Sequence, residues 1–348
     1  MTARITPALM LHERWFTSGN FPVRFDLASA SRTWIPIGIA LGLAVAAAIT
    51  WRLRGRRDLV PGPLRLGMAW EDYERLLSYM PLVIGVHTAV LLLVSGVELQ
   101  LFVPNLRLPR NILGGVLALG EIVVALSFIY GAAARGGALL LAGVWLAGLL
   151  LFGPLLLLEH ALFLGIAFFL LVTGRGALSF DMTLKILHRP FERFVPYGVP
   201  VLRILTGVSI VVLAFTEKLW NLPMGLDFLE RHNFNFFPAL GFDSIGNAEF
   251  LLIAGTVELT FGMLLVSGAF LRLTILLLWV PFNLTLPFLG WRELVGHLPM
   301  YGVMALILIW GEERPATQGA FVEGVRDKEH RARSAAGDGP KAGVTRGD

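Results

Sequence analysis

The stretch that decides the fold runs from Glu258 to Gly311: ELTFGMLLVSGAFLRLTILLLWVPFNLTLPFLGWRELVGHLPMYGVMALILIWG. Laid over residues 121–174 at a gap-free offset of 137, it returns the polar and glycine positions of the earlier segment. Glu258, Gly268, Arg272, Gly290, His297, Gly302 and Gly311 stand where that segment has Glu121, Gly131, Arg135, Gly153, His160, Gly165 and Gly174. Leucine matches mean little in such apolar sequence, but polar matches in one register are hard to obtain by chance. Further upstream, Glu98 and Pro104 match Glu217 and Pro223 at an offset of 119, the difference being taken up by the longer loop 221–247. The chain reads as a duplicated unit, and the polar residues kept in both copies are the first places to look for function.

Composition sets the solvent. Apolar residues make up 55% of the chain, charged residues 16%, and mean hydropathy is +0.69. Several runs reach the length at which a membrane span is the default reading. Cysteine is absent, so thiol redox chemistry, cysteine-held metal clusters and disulfides are excluded for this chain. A net charge of +4 and a pI near 9.7 would suit nucleic acid, but the basic residues fall in loops between apolar runs, as topology signals do. The expected partner is membrane lipid, not nucleic acid.

Nine apolar segments can be read: 34–51, then 78–100, 111–131, 137–153 and 155–174, then 200–220, 248–270, 272–290 and 294–311. The predicted fold is an all-α polytopic membrane protein of about nine transmembrane helices, one N-terminal helix followed by two tandem four-helix repeats. An even number of spans per repeat gives both the same orientation, related by a pseudo-twofold axis along the membrane normal. Residues 1–77 hold the N-terminus, the first helix and a basic loop; 78–174 and 200–311 are the repeats; 175–199 links them; and 312–348 form a polar tail expected to be disordered. Arg52, Arg54, Arg56, Arg57, Arg65, Arg135, Arg175, Lys185, Arg189, Arg193, Arg272 and the tail's Arg326, Lys328, Arg331 and Arg333 share one side if the N-terminus is outside and the C-terminus in the cytoplasm. Arg107 and Arg110 fall on the other side. The phenylalanine-rich loop 221–247 suits the outer interface or a fold back over the bundle.

Glu121 and Glu258 each precede the glycine closing their helix by ten residues, about 15 Å, which is near mid-bilayer. A carboxylate there must face the interior and be paired, hydrogen-bonded or protonated. His160 and His297 precede their closing glycines by fourteen residues, so Glu and His of one repeat differ in depth by only about 6 Å. Each pair is therefore read as a proton-handling or ligand-anchoring site, against an interhelical clamp that serves packing alone. Two histidines at one depth also permit a shared haem or metal, but no metal ligand set is read. Lys218 can snorkel with Trp220 as anchor, and Glu217 and Lys218 are candidates for a site. Arg135 and Arg272 read as topology and headgroup contacts, Glu159 and Glu293 as solvated residues at a helix mouth, and Gly165 and Gly302 as close-packing positions.

VVLAFTEKLWNLP (211–223), GTVELTFGMLLVSGAFLRLTILLL (255–278) and GHLPMYGVMALILIWG (296–311) together resemble the DoxX-like membrane proteins. The shared order is a four-helix unit with Glu or Lys after helix one, Glu in a glycine-rich helix two, Arg opening helix three, and a polar start to helix four. The first repeat resembles a degenerate copy, with Leu99 where the second has Lys218. The resemblance implies a bacterial cytoplasmic (inner) membrane protein that serves as a subunit of a redox system linked to quinone, with a partner redox subunit or soluble partner. In that case Glu258 and His297 would contact quinone or protons, with Lys218 and Glu217 as further quinone contacts and Glu121 and His160 as a remnant or second site. Without cysteine, sulfur transfer would fall to the partner. The alternatives are a non-catalytic scaffold or assembly factor and a small-solute transporter; the residues alone do not decide whether the chain is an enzyme.

Overall fold

The computed structural model describes residues 14, 17, 21–29, 31–184, 189–311 and 317–325. The fold is helical, apart from one small hairpin among the described residues. Helix α1 spans Ser31–Leu53 and α2 Trp70–Val97; strands β1 (Gln100–Leu101) and β2 (Val103–Arg107) form the hairpin; α3 spans Ile112–Tyr130, α4 Ala134–Phe152 and α5 Leu162–Thr173. Then come α6 (Val195–Leu213), α7 (Leu222–His232), α8 (Asn247–Ser267), α9 (Leu271–Leu284) and α10 (Trp291–Trp310). Seven helices, α1 to α4, α6 with its continuation to Leu219, α8 and α10, are long and apolar enough to cross a membrane, and α5 and α9 are shorter apolar helices. This is consistent with a polytopic membrane protein.

Several bounds differ from the sequence reading. The first helix has 23 residues, more than the expected segment 34–51, because Ser31–Thr33 and Arg52–Leu53 extend it. The first helices of the two four-helix sets begin at Trp70 and Val195, before the expected 78 and 200; Pro196 sits in the first turn of α6, where its missing N–H costs nothing. Two expected segments are interrupted: 155–174 is divided into the short helix Pro154–Leu158 and α5, and 272–290 into α9 and the short helix Leu286–Leu289, while 294–311 falls on the unbroken α10. Of the tail, 317–325 form a helix with Phe321 fully buried and its ring 5.3 Å from that of Trp310, so that stretch is ordered by apolar burial. The remaining tail residues, Arg326, Lys328, Arg331 and Arg333 among them, and Lys185 lie outside the described residues.

The helices pack in a closed order. α2 meets α3, α3 meets α4, α4 meets α5, α5 meets α6, α6 meets α8, α8 meets α9, α9 meets α10, and α10 returns to α2, while α1 lies on α8. Gly165 comes against Leu202 at the α5–α6 seam and Gly302 against Ile84 at the α10–α2 seam, where the absence of a side chain lets the backbones approach. One apolar cluster runs through the ring, from Leu77 and Ile84 to Phe169, Leu265 and Ile307.

At the arginine end, Gly131 (φ 63°) and Gly268 (φ 78°) close α3 and α8 in the left-handed conformation, which costs a glycine little. Ala133 and Phe270, two residues on, take the same region at φ 50° and 48°. Arg135 and Arg272 are buried, with their guanidinium groups turned to backbone carbonyls. The Arg135 Nε donates to the Leu171 carbonyl at 2.8 Å and the Arg272 Nε to the Leu308 carbonyl at 3.1 Å. Arg175 donates to the carbonyls of Phe128, Ile129, Ala177 and Leu178. Burial pushes its guanidinium down to about 10, so it remains charged at neutral pH.

Two aspartates cap the third helices from outside. Asp181 accepts from the Ala133 and Ala134 N–H groups at 2.7 and 2.9 Å, and Asp58, in the basic loop after α1, accepts from the Arg272 N–H at 2.8 Å. Asp58→Ala and Asp181→Ala should each cost about 1 kcal/mol, read as a drop in thermal midpoint in detergent. A variant that melts with wild type would remove the capping role.

Candidate functional site

α6 ends in a π-helical turn, Ala214–Leu219. Such turns arise where a helix carries an extra residue, and they recur at functional sites. Here the turn buries Glu217 and swings Lys218 toward α8. The Lys218 Nζ lies 3.0 Å from the Glu258 Oε1, with 11% and 34% of the two side chains exposed. Gly255, one turn from Glu258, lies against Leu219 and the Lys218 Cβ, so a larger residue there would hold the two segments apart. Glu258 heads a stripe continued by Phe261 and Leu265, which pack on the central cluster, so it faces inward. Each charge neutralises the other at a depth where either alone is expensive.

Glu121 has a different setting. It is fully buried; its Oε1 accepts from the Phe102 N–H at 2.7 Å and its Oε2 from the Ser95 hydroxyl at 3.3 Å. Phe102 is the hairpin's turn residue, held at φ 62°, with its ring stacked 4.3 Å from Phe163. Glu121 therefore fastens the β1–β2 hairpin into the helix bundle.

The expected Glu–His pairs do not form. Glu121 and Glu258 take the partners just described, because the hairpin reaches Glu121 first and the π-turn delivers Lys218 to Glu258. The His160 backbone carbonyl accepts from the Trp145 indole at 3.1 Å, and its ring lies 6.5 Å from Phe163. The His297 Nδ1 lies 3.5 Å from the Glu293 Oε1, and its ring lies 4.4 Å from Phe282. Among the described residues, no group of three or more His, Asp or Glu could hold a metal ion.

Glu293 and Glu159, read as solvated, are both buried. The Thr285 hydroxyl donates to the Glu293 Oε1 at 2.7 Å, and Arg14 lies 3.5 Å from Glu159. Glu98 and Glu217 occupy unlike places, since Glu98 is an exposed residue bonded to Gln100. Loop 221–247 folds as α7 followed by a phenylalanine cluster, in which the Phe234, Phe236 and Phe237 rings lie 5.7–6.1 Å from Phe250. The segment before α1 is pinned to the same region: the Arg24 N–H donates to the Trp220 carbonyl at 2.8 Å, and the Asn221 amide to the Phe21 carbonyl at 3.1 Å.

The sequence reading passed over His87, whose Nδ1 lies 2.7 Å from the Val83 carbonyl and whose Cβ stands beside Gly302. Its signal was a histidine in mid-helix within an apolar run. No family model, curated protein or solved structure matches this chain.

Proposed function

We propose that the chain is a tandem DoxX-like protein of nine spans in a bacterial cytoplasmic membrane, N-terminus outside, whose second four-helix unit binds a quinone-type headgroup at Lys218 and Glu258. It would act there as the membrane subunit of a redox system, with a partner supplying the electrons. The duplication is supported by the matched left-handed positions 131/268 and 133/270 and by the matched Arg135–Leu171 and Arg272–Leu308 bonds, both at an offset of 137.

One observation carries the site. Lys218 and Glu258 form an inward-facing ion pair within the span, and a third of the glutamate side chain remains accessible. An ammonium and a carboxylate side by side fit a quinone headgroup, whose carbonyl oxygen accepts from Lys218 and whose hydroxyl, once reduced, donates to Glu258. A bound quinone supplies reversible two-electron, two-proton chemistry.

Quinone should co-purify with the protein in mild detergent. Lys218→Met and Glu258→Gln should each weaken its affinity about tenfold, the loss of one charge-assisted hydrogen bond, and lower the amount retained. Wild-type protein that carries no quinone and takes none up from quinone-loaded vesicles would sink the reading. Glu121, enclosed and bonded through both oxygens, favours a second reading for the first unit, a scaffold that holds the second.

A further inference from the structure

Glu293, His297 and Tyr301 lie at i, i+4 and i+8 on α10, on one stripe of the helix. The stripe descends about 12 Å from the helix's first turn toward mid-span. Its top lies at the level of Trp291, which is exposed, yet Glu293 itself is shut inside the fold. The Glu293 Oε1 accepts the Thr285 hydroxyl at 2.7 Å and lies 3.5 Å from the His297 Nδ1. The His297 and Tyr301 rings meet edge to face, with 6.2 Å between their centroids. The Tyr301 hydroxyl bonds the Phe282 carbonyl at 3.2 Å and lies 3.3 Å from the Asn283 Oδ1. On another side of the same first turn, a crevice of about 20 Å³ is lined by Glu98, Trp291, Arg292, Val295 and Gly296, room for one water beside the top of the stripe.

We infer that this stripe is a proton-uptake ladder opening at the hairpin end of the second unit. A hydronium proton goes to the Glu293 carboxylate, leaving water, and from there to the neutral His297 Nδ1 3.5 Å away, restoring the carboxylate and leaving an imidazolium beside it. A packing clamp alone would be expected in both units. At the offset of 137 the first unit has Leu156, His160 and Leu164, so a four-helix unit folds without the two flanking groups.

Among the described residues, Glu293 is the carboxylate set beside His297. α9 presents Phe282, Asn283 and Thr285, and the Leu286–Leu289 turn carries nothing that titrates. α2 brings His87 against Gly302 and Glu98 to the crevice, where Arg292 of α10 also lies. Arg203 of α6 is engaged at the arginine end by the Leu265 and Val266 carbonyls.

The test is imidazole nuclear magnetic resonance of the full chain in lipid nanodiscs with ¹⁵N-histidine, His297 being assigned by its loss in His297→Gln. The ladder predicts that His297 changes protonation state between about pH 5 and 8 and that Glu293→Gln moves its midpoint by about one unit. Glu258→Gln should leave that midpoint in place. A His297 signal fixed across that range, or one indifferent to Glu293→Gln, overturns the inference. The measurement uses quinone-free protein, so its failure is separate from failure of the quinone reading.

Discussion

Gly262→Leu is expected to prevent the second unit from assembling, and Gly262→Ala to lower the melting temperature by roughly 2–8 °C, equivalent to about 1–3 kcal/mol. The reason is the closeness of α6 and α8. A Cβ placed on Gly262 would stand 2.9 Å from both the Gly207 carbonyl oxygen and the Val211 nitrogen, and 2.7 Å from a Val211 methyl. A Cβ on Gly207 would meet the Gly262 carbonyl oxygen at 2.7 Å. These are mostly backbone atoms, which cannot rotate away, so the helices must separate. Helices that pack without a strong hydrophobic drive depend on such small-residue contacts. The same contact helps set the distance from Lys218 to Glu258, so on the quinone reading Gly262→Ala should weaken quinone retention along with stability. Gly143, whose Cβ would meet nothing within 4 Å, provides the control: Gly143→Ala should not lower the melting temperature. A Gly262→Ala protein that melts with wild type would show that α6 and α8 do not depend on this approach.

Much of the fold was legible because its signals are local. Gly131 and Gly268 punctuate apolar runs, and a left-handed helix end needs little more than a glycine in the right place. The hairpin was not legible: Gln100–Arg107 has no clean alternation and contains Pro104, and what holds it is Glu121, nineteen residues beyond Phe102. The site was half legible. Lys218 and Glu258 were both singled out, but their pairing depends on the π-turn Ala214–Leu219, which no residue pattern announces. Glu293 was misread because its place near a helix start suggests water, whereas it is fully buried and accepts from the Thr285 hydroxyl. Depth arithmetic brought Glu and His of each unit to similar levels, but depth says nothing about which way a side chain faces.

Glu121→Ala should cost about 2–4 kcal/mol, while Glu121→Gln stays within about 1 kcal/mol of wild type. Alanine leaves the Phe102 N–H buried without an acceptor, at about 1–3 kcal/mol, and opens a void beneath the stacked Phe102 and Phe163 rings. Glutamine keeps the geometry: its carbonyl can accept from Phe102 and its amide can donate to the Ser95 hydroxyl, which rotates to suit. Stability thus tracks the acceptor for the hairpin, not the charge. For Glu258 the order reverses. Glu258→Gln preserves shape but leaves Lys218 without its counter-charge, so it should lower the melting temperature and, on the quinone reading, quinone retention with it. Thermal midpoints and extracted quinone, measured together on the three variants, separate the two carboxylates. Should Glu121→Gln unfold the protein or strip quinone as Glu258→Gln does, the division between a scaffolding first unit and a ligand-binding second unit would fail. That division is physically reasonable after duplication, because one enclosed carboxylate per bundle can hold backbone in place. A ligand needs a carboxylate left partly open, and of these two it is Glu258 that has both the opening and an ammonium to stabilise its charge there.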